Sequence, residues 1–119
     1  MPPLRAAGLN NMPEQLHARV TAQLKLALLA DCACPKTLAR LEREARLSGL
    51  TGAGIDAALG GRSFEARTAA SVAYACAMKA GEAGLLEQAR THAHRLGVTD
   101  EELSMVAQGA KQILASIKL

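Results

Sequence analysis

A chain of 119 residues can bury a core of its own, and with one Phe, one Tyr and no Trp that core must come from Ala, Leu, Ile, Val and Met. Small side chains let helices approach closely and suit a sheet poorly, which argues against a β fold. The formal charge of +3, from 14 basic against 11 acidic residues, is mild and comes without an aromatic platform for bases, so nucleic acid is not an expected partner.

Met1 to Asn11, with Pro2, Pro3, Gly8 and two asparagines, reads as a flexible arm over 1–11 ahead of a single domain over 12–119. Pro13 and Glu14 suit the first turn of a helix in which Leu16, Val20, Leu24, Ala27 and Leu28 recur at helical spacing up to Asp31. The apolar run near Leu26 to Ala30, bounded by Lys25 and Asp31, is far too short to cross a bilayer, so no membrane partner is expected. After the corner Cys32-Ala33-Cys34-Pro35, a second helix from about Lys36 puts Leu38, Leu41 and Ala45 on one face, and Gly49 is placed to close it in a left-handed conformation. Arg40, Arg43 and Arg46 alternate along that helix with Glu42 and Glu44, which reads as a solvated face.

Thr51 is placed to cap a short third helix around Ile55 to Leu59, which stops at Gly60-Gly61. Ser63 is expected to cap a fourth from Phe64 to about Lys79, with Ala69, Val72, Ala73 and Cys76 facing inward. A fifth helix runs from Leu85 to Leu96 and ends at Gly97, and Thr99-Asp100-Glu101-Glu102 is a capping box that opens a sixth. Leu103, Val106, Ala107, Ala110, Leu114 and Ile117 are the inward positions of that last helix. No stretch alternates with period two long enough for a strand, so the predicted fold class is all-α, a bundle of about six helices.

The residues with chemical potential gather at the corner. A helix N-terminus favours negative charge, and a thiolate is negative, so Cys34 is a candidate nucleophile with Cys32 as its partner thiol. The opposing reading makes both cysteines small apolar fillers at a helix junction. Three cysteines do not make a disulfide framework, and Met1 to Met12 lacks a basic start followed by an apolar run, so a reducing cytoplasm is the expected compartment. Cys76, in the middle of the fourth helix, reads as core packing. His92 and His94 stand about 200° apart on a helix and cannot chelate one ion, and His17 lies at the far end of the first helix from Cys34. No metal or other cofactor is expected.

The order Leu26-Ala27-Leu28-Leu29-Ala30-Asp31-Cys32, Gly49-Leu50-Thr51, Gly60-Gly61-Arg62-Ser63-Phe64-Glu65-Ala66-Arg67-Thr68 and Leu96-Gly97-Val98-Thr99-Asp100-Glu101-Glu102 resembles the carboxymuconolactone decarboxylase family, which includes the AhpD-like alkylhydroperoxidases. The resemblance covers about Leu16 to Ile117. Redox members of that family carry Cys-x-x-Cys at a helix start, a His four residues further on and a Glu one helix earlier. Counted back from Gly49, the motif positions fall on Cys34, Thr37 and Leu41, so the second Cys and the His are replaced; in the other register Asp31, Cys34 and Leu38 occupy them. The Glu position falls near Ala22 or Gln23.

The resemblance implies an AhpD-like bundle assembling as a homo-oligomer, a trimer or hexamer. It also implies a fourth helix lining a small-molecule pocket beside the cysteines, which nominates Glu65, Arg67 and Tyr74, although Glu65 and Arg67 also suit a polar first turn. The implied activity is thiol-dependent reduction of small peroxides. The alternatives are a catalytically degenerate binding or assembly module and a decarboxylase-like enzyme acting on a small lactone or keto acid.

Overall fold

The computed structural model describes residues 14–31 and 34–116, with side chains from Ala18 onward, and over these the chain is all-α. Its six helices are α1 (Glu14–Leu29), α2 (Pro35–Leu47), α3 (Gly52–Leu59), α4 (Ala66–Ala80), α5 (Ala83–Arg95) and α6 (Asp100–Ala115). The arm expected over 1–11 lies outside the described residues, as do Cys32, Ala33 and Ile117.

Helix α1 is the centre of the bundle. Ala22, Gln23, Leu24, Leu26, Leu28 and Leu29 are all buried, and positions so closely spaced in sequence go around a helix rather than along one face. A helix buried on several sides needs neighbours on several sides, and α1 packs against α2, α3, α4 and α6. Polar contacts fix how α4 lies on it. Arg19 Nη2 meets Glu65 Oε2 at 2.8 Å just before α4 begins, and Lys79 Nζ donates to the Leu28 carbonyl at 2.7 Å near the end of both helices. The two therefore run parallel, and the cysteine-bearing corner after α1 lies toward the C-terminal end of α4.

Pro35 occupies the first turn of α2, where a backbone donor would have no helical partner. Leu41 and Ala45 are buried and Leu38 packs against the core, as their spacing predicts. Gly49 takes φ +105°, which lets its amide reach the Arg46 carbonyl and that of Leu50 reach Ala45, both at 3.0 Å. Thr51 caps α3 by accepting from the Gly54 amide at 3.0 Å.

Helix α4 departs from its sequence reading at two points. Ser63 does not cap it: its hydroxyl accepts from the Glu65 amide at 3.2 Å, closing a turn, and the helix begins at Ala66 after Glu65. Its inward face is also rotated, because Ala70, Val72, Tyr74, Ala75 and Ala77 are buried while Ala73 is exposed. Alanines surround this helix on every side, so periodicity leaves its phase open. Val72 and Tyr74, with the most apolar surface to bury, set it.

The capping box is present as predicted. Thr99 Oγ1 accepts from the Glu102 amide at 3.1 Å and Glu102 Oε1 accepts from the Thr99 amide at 2.9 Å. Arg67 Nη2 adds a 2.9 Å contact to the same carboxylate. Along α6, Leu103, Val106, Ala110 and Ile113 are buried, with Ala107 and Leu114 packed beside them. Thr99→Ala is expected to lower folding stability by about 1 kcal/mol, read by urea denaturation, because it leaves an α6 amide without its acceptor. Among the described residues, no helix is long and apolar enough to cross a membrane.

Candidate functional site

Cys34 is the N-cap residue of α2, with φ −73° and ψ 161°, and it is exposed. The extended backbone there turns its side chain over the first turn of the helix. Its Sγ lies 3.3 Å from Oγ1 of Thr37, one turn on. The sulfur makes no full capping hydrogen bond, but the amides of Thr37 and Lys36 face it. Together these groups hold the Cys34 thiol below its ordinary pKa; the Thr37 hydroxyl is the largest cause, followed by the Thr37 amide. When the sulfur is a thiolate the Thr37 hydroxyl donates to it. No carboxylate or imidazole hydrogen-bonds this sulfur among the described residues.

The other family-motif positions lie elsewhere. Leu41 is 4% exposed and belongs to the core, so no side chain there reaches the Cys34 sulfur as a proton carrier. Gln23 is 2% exposed, and its amide nitrogen donates to the Arg19 carbonyl at 3.2 Å within its own helix. Thr37 is the one replaced position that touches the thiol. It supplies a hydroxyl where the family pattern has a second sulfur. Cys32 falls outside the described residues.

The residues nominated for a pocket are spread over three places. Glu65 bonds to Arg19 and accepts from the Thr68 hydroxyl at 3.2 Å. Arg67 bridges to Glu102 and to the Gly97 carbonyl at 3.2 Å, tying the start of α4 to the start of α6. Tyr74 is buried, with the Arg90 guanidinium 5.8 Å from its ring centroid. None of the three lines the open groove of about 510 Å³ that runs between Gly60-Gly61, α4 and α5.

That groove is lined by Ala73, Cys76, Ala77, Leu85, Gln88 and Ala89 as well as the two glycines. Cys76 packs against the core, as expected, but it is only half-buried and also lines the groove wall. The rotated phase of α4 puts it there. Burial pushes its thiol above the ordinary value, and the nearby Asp31 carboxylate adds to this while Lys79 opposes it. The two described thiols therefore differ in kind, one exposed and acidified, the other half-buried and kept protonated.

His94 Nε2 sits 2.7 Å from Asp100 Oδ1, and His92, two residues away, is exposed. No group of three or more His, Cys, Asp or Glu is arranged to hold a metal ion among the described residues.

A reactivity order follows. Iodoacetamide near neutral pH is expected to alkylate Cys34 well before Cys76, as peptide mass spectrometry would show. Thr37→Val is expected to move the pH profile of Cys34 alkylation upward, because the largest cause of its acidity is gone; an unmoved profile would show that the hydroxyl plays no part. No family model, curated protein or solved structure matches the chain.

Proposed function

We propose that the chain is a thiol-dependent oxidoreductase of the AhpD-like alkylhydroperoxidase type, in which Cys34 is the attacking thiol. The observation that carries this reading is an exposed cysteine at a helix N-cap whose thiol is acidified by a hydroxyl and by helix amides. A peroxidatic thiol must be reachable and must ionise readily; Cys34 is exposed, and the Thr37 hydroxyl and the helix amides hold its pKa below the ordinary thiol value. The thiolate attacks the terminal oxygen of a hydroperoxide, the O–O bond breaks, and the leaving alkoxide takes a proton from water. Cys34 is then a sulfenic acid. Condensation with Cys32 releases water and forms a disulfide, and an external dithiol returns both electrons and both protons.

A second reading is favoured by one observation. Leu41 is built into the core and Gln23 bonds to its own helix, so a proton relay of the family kind has no place to stand. On that reading the chain is a scaffold that serves as a binding or assembly module, and the exposed Phe64, at 76%, offers apolar surface for homo-oligomer contacts. The deciding experiment is turnover of cumene hydroperoxide by the purified chain with dithiothreitol as reductant. Consumption of peroxide above the rate of dithiothreitol alone supports the enzyme, and its absence leaves the scaffold.

A further inference from the structure

Cys34 and Thr37 stand three residues apart at the start of α2, so they share a side of the helix with Leu38, which packs against the core. They differ in exposure: Cys34 is open to solvent, whereas Thr37 is half-buried. The donors around the sulfur are of two kinds. The amides of Lys36 and Thr37 belong to the first turn, whose N–H groups lack acceptors within the helix, and the backbone fixes where they point. The Thr37 hydroxyl, 3.3 Å from Sγ, is not fixed in this way. Its proton turns about the Cβ–Oγ1 bond and can serve an acceptor that arrives beside the sulfur.

We propose that Thr37 is a catalytic residue of peroxide reduction: its hydroxyl, which donates to the resting thiolate, passes to the peroxide as the attacked oxygen bonds to Sγ. The inference rests on the redox reading above and names what the site takes, a hydroperoxide in preference to an electrophile that gathers no charge on oxygen. An oxygen in contact with the sulfur at about 3–3.5 Å on the Thr37 side is also within hydrogen-bond reach of a hydroxyl that is itself 3.3 Å from that sulfur. Charge decides when the donor changes partner. As the S–O bond forms, the sulfur gives up its negative charge, and the peroxide oxygens take it up while the O–O bond breaks. Oxygen is a better acceptor than sulfur, so the contact strengthens toward the transition state, and only such contacts accelerate the chemical step. The attacked oxygen keeps its hydrogen and makes Cys34 a sulfenic acid. The electron pair of the O–O bond leaves with the alkoxide, which takes a proton from water, and Thr37 keeps its own proton throughout.

The test must separate this contact from the acidity that the same hydroxyl gives the thiol. In the parent chain, Thr37→Val and Thr37→Ser, the loss of free Cys34 is timed against pH by peptide mass spectrometry, once with cumene hydroperoxide and once with iodoacetamide, whose leaving group is iodide. The rates compared are the two plateaus reached above the thiol's titration, where all of Cys34 is thiolate in every variant. Thr37→Val is expected to lower the peroxide plateau by about tenfold, less than for a donor in a closed site because water reaches this one. Its iodoacetamide plateau should stay within about twofold of the parent's. Thr37→Ser should keep both plateaus, with the far-UV circular dichroism of the parent confirming each fold. Equal changes in the two plateaus, an unchanged peroxide plateau in Thr37→Val, or a peroxide plateau in Thr37→Ser as low as that of the valine variant overturns the role of Thr37 alone. A parent chain whose Cys34 reacts with the peroxide no faster than the thiolate of free cysteine removes the redox reading and this inference with it.

Discussion

Cys34→Ser is expected to lower dithiol-supported peroxide turnover by at least about a hundredfold without loss of stability. A serine hydroxyl is a weak nucleophile unless a base takes its proton, and among the described residues no carboxylate or imidazole is bonded to this position. Serine is also among the best N-cap residues, whereas the Cys34 side chain makes no full capping hydrogen bond, so the variant should hold α2 at least as firmly. Activity and folding therefore separate in one substitution. Cys76→Ala is the matching control: burial and Asp31 keep that thiol protonated at neutral pH, so turnover should stay within about twofold. The pH dependence follows from the same groups. Because the Cys34 pKa lies below the ordinary thiol value, the rate should reach its plateau at lower pH than a free thiol would give. Wild-type turnover in the serine variant would remove Cys34 from the mechanism.

What could be read from the residues, and what could not, follows from how local each determinant is. The caps and breaks were legible because they depend on neighbours in sequence. Thr51, Thr99 with Glu102, Pro35 and Gly49 each act within a few residues, and each stands where its residue type requires. Cys34 at a helix start was legible for the same reason. The acidifying hydroxyl of Thr37 was open to the same argument, since an N-cap side chain faces the third helical residue, but the position was weighed only as a lost cysteine.

The rest depended on tertiary placement. In α4 the alanines gave no preferred face, so the rotation that buries Tyr74 and brings Cys76 to the groove had no signal beyond the size of the tyrosine. Glu65 and Arg67 could equally serve a pocket or a framework, and their partners Arg19 and Glu102 lie 46 and 35 residues away. That Lys36, Arg40, Arg43 and Arg46 share the exposed side of α2 was hidden by reading charge along the chain rather than around the helix. Arg43 and Glu44 are neighbours in one description and stand about 100° apart in the other.

Leu26→Ala should cost about 3–4 kcal/mol of folding stability, in the upper part of the range for a buried leucine. Leu26 is fully buried, with 0% exposure, in the helix that four others pack against. The size of the loss depends on whether the surroundings can close the void. The core around α1 includes Ala45, Ala58, Ala70, Ala75, Ala93 and Ala110, and an alanine has no rotamer with which to move into empty space. Relaxation would require whole helices to shift, which their other contacts resist, so most of the cavity should persist. For a domain of this size that loss lowers Tm by on the order of 15 °C. Leu47→Ala, at a leucine 83% exposed, should change stability by no more than about 0.5 kcal/mol. Chemical denaturation of the two variants side by side tests the placement of α1 directly: near-equal losses would mean that Leu26 does not sit at the centre of the bundle.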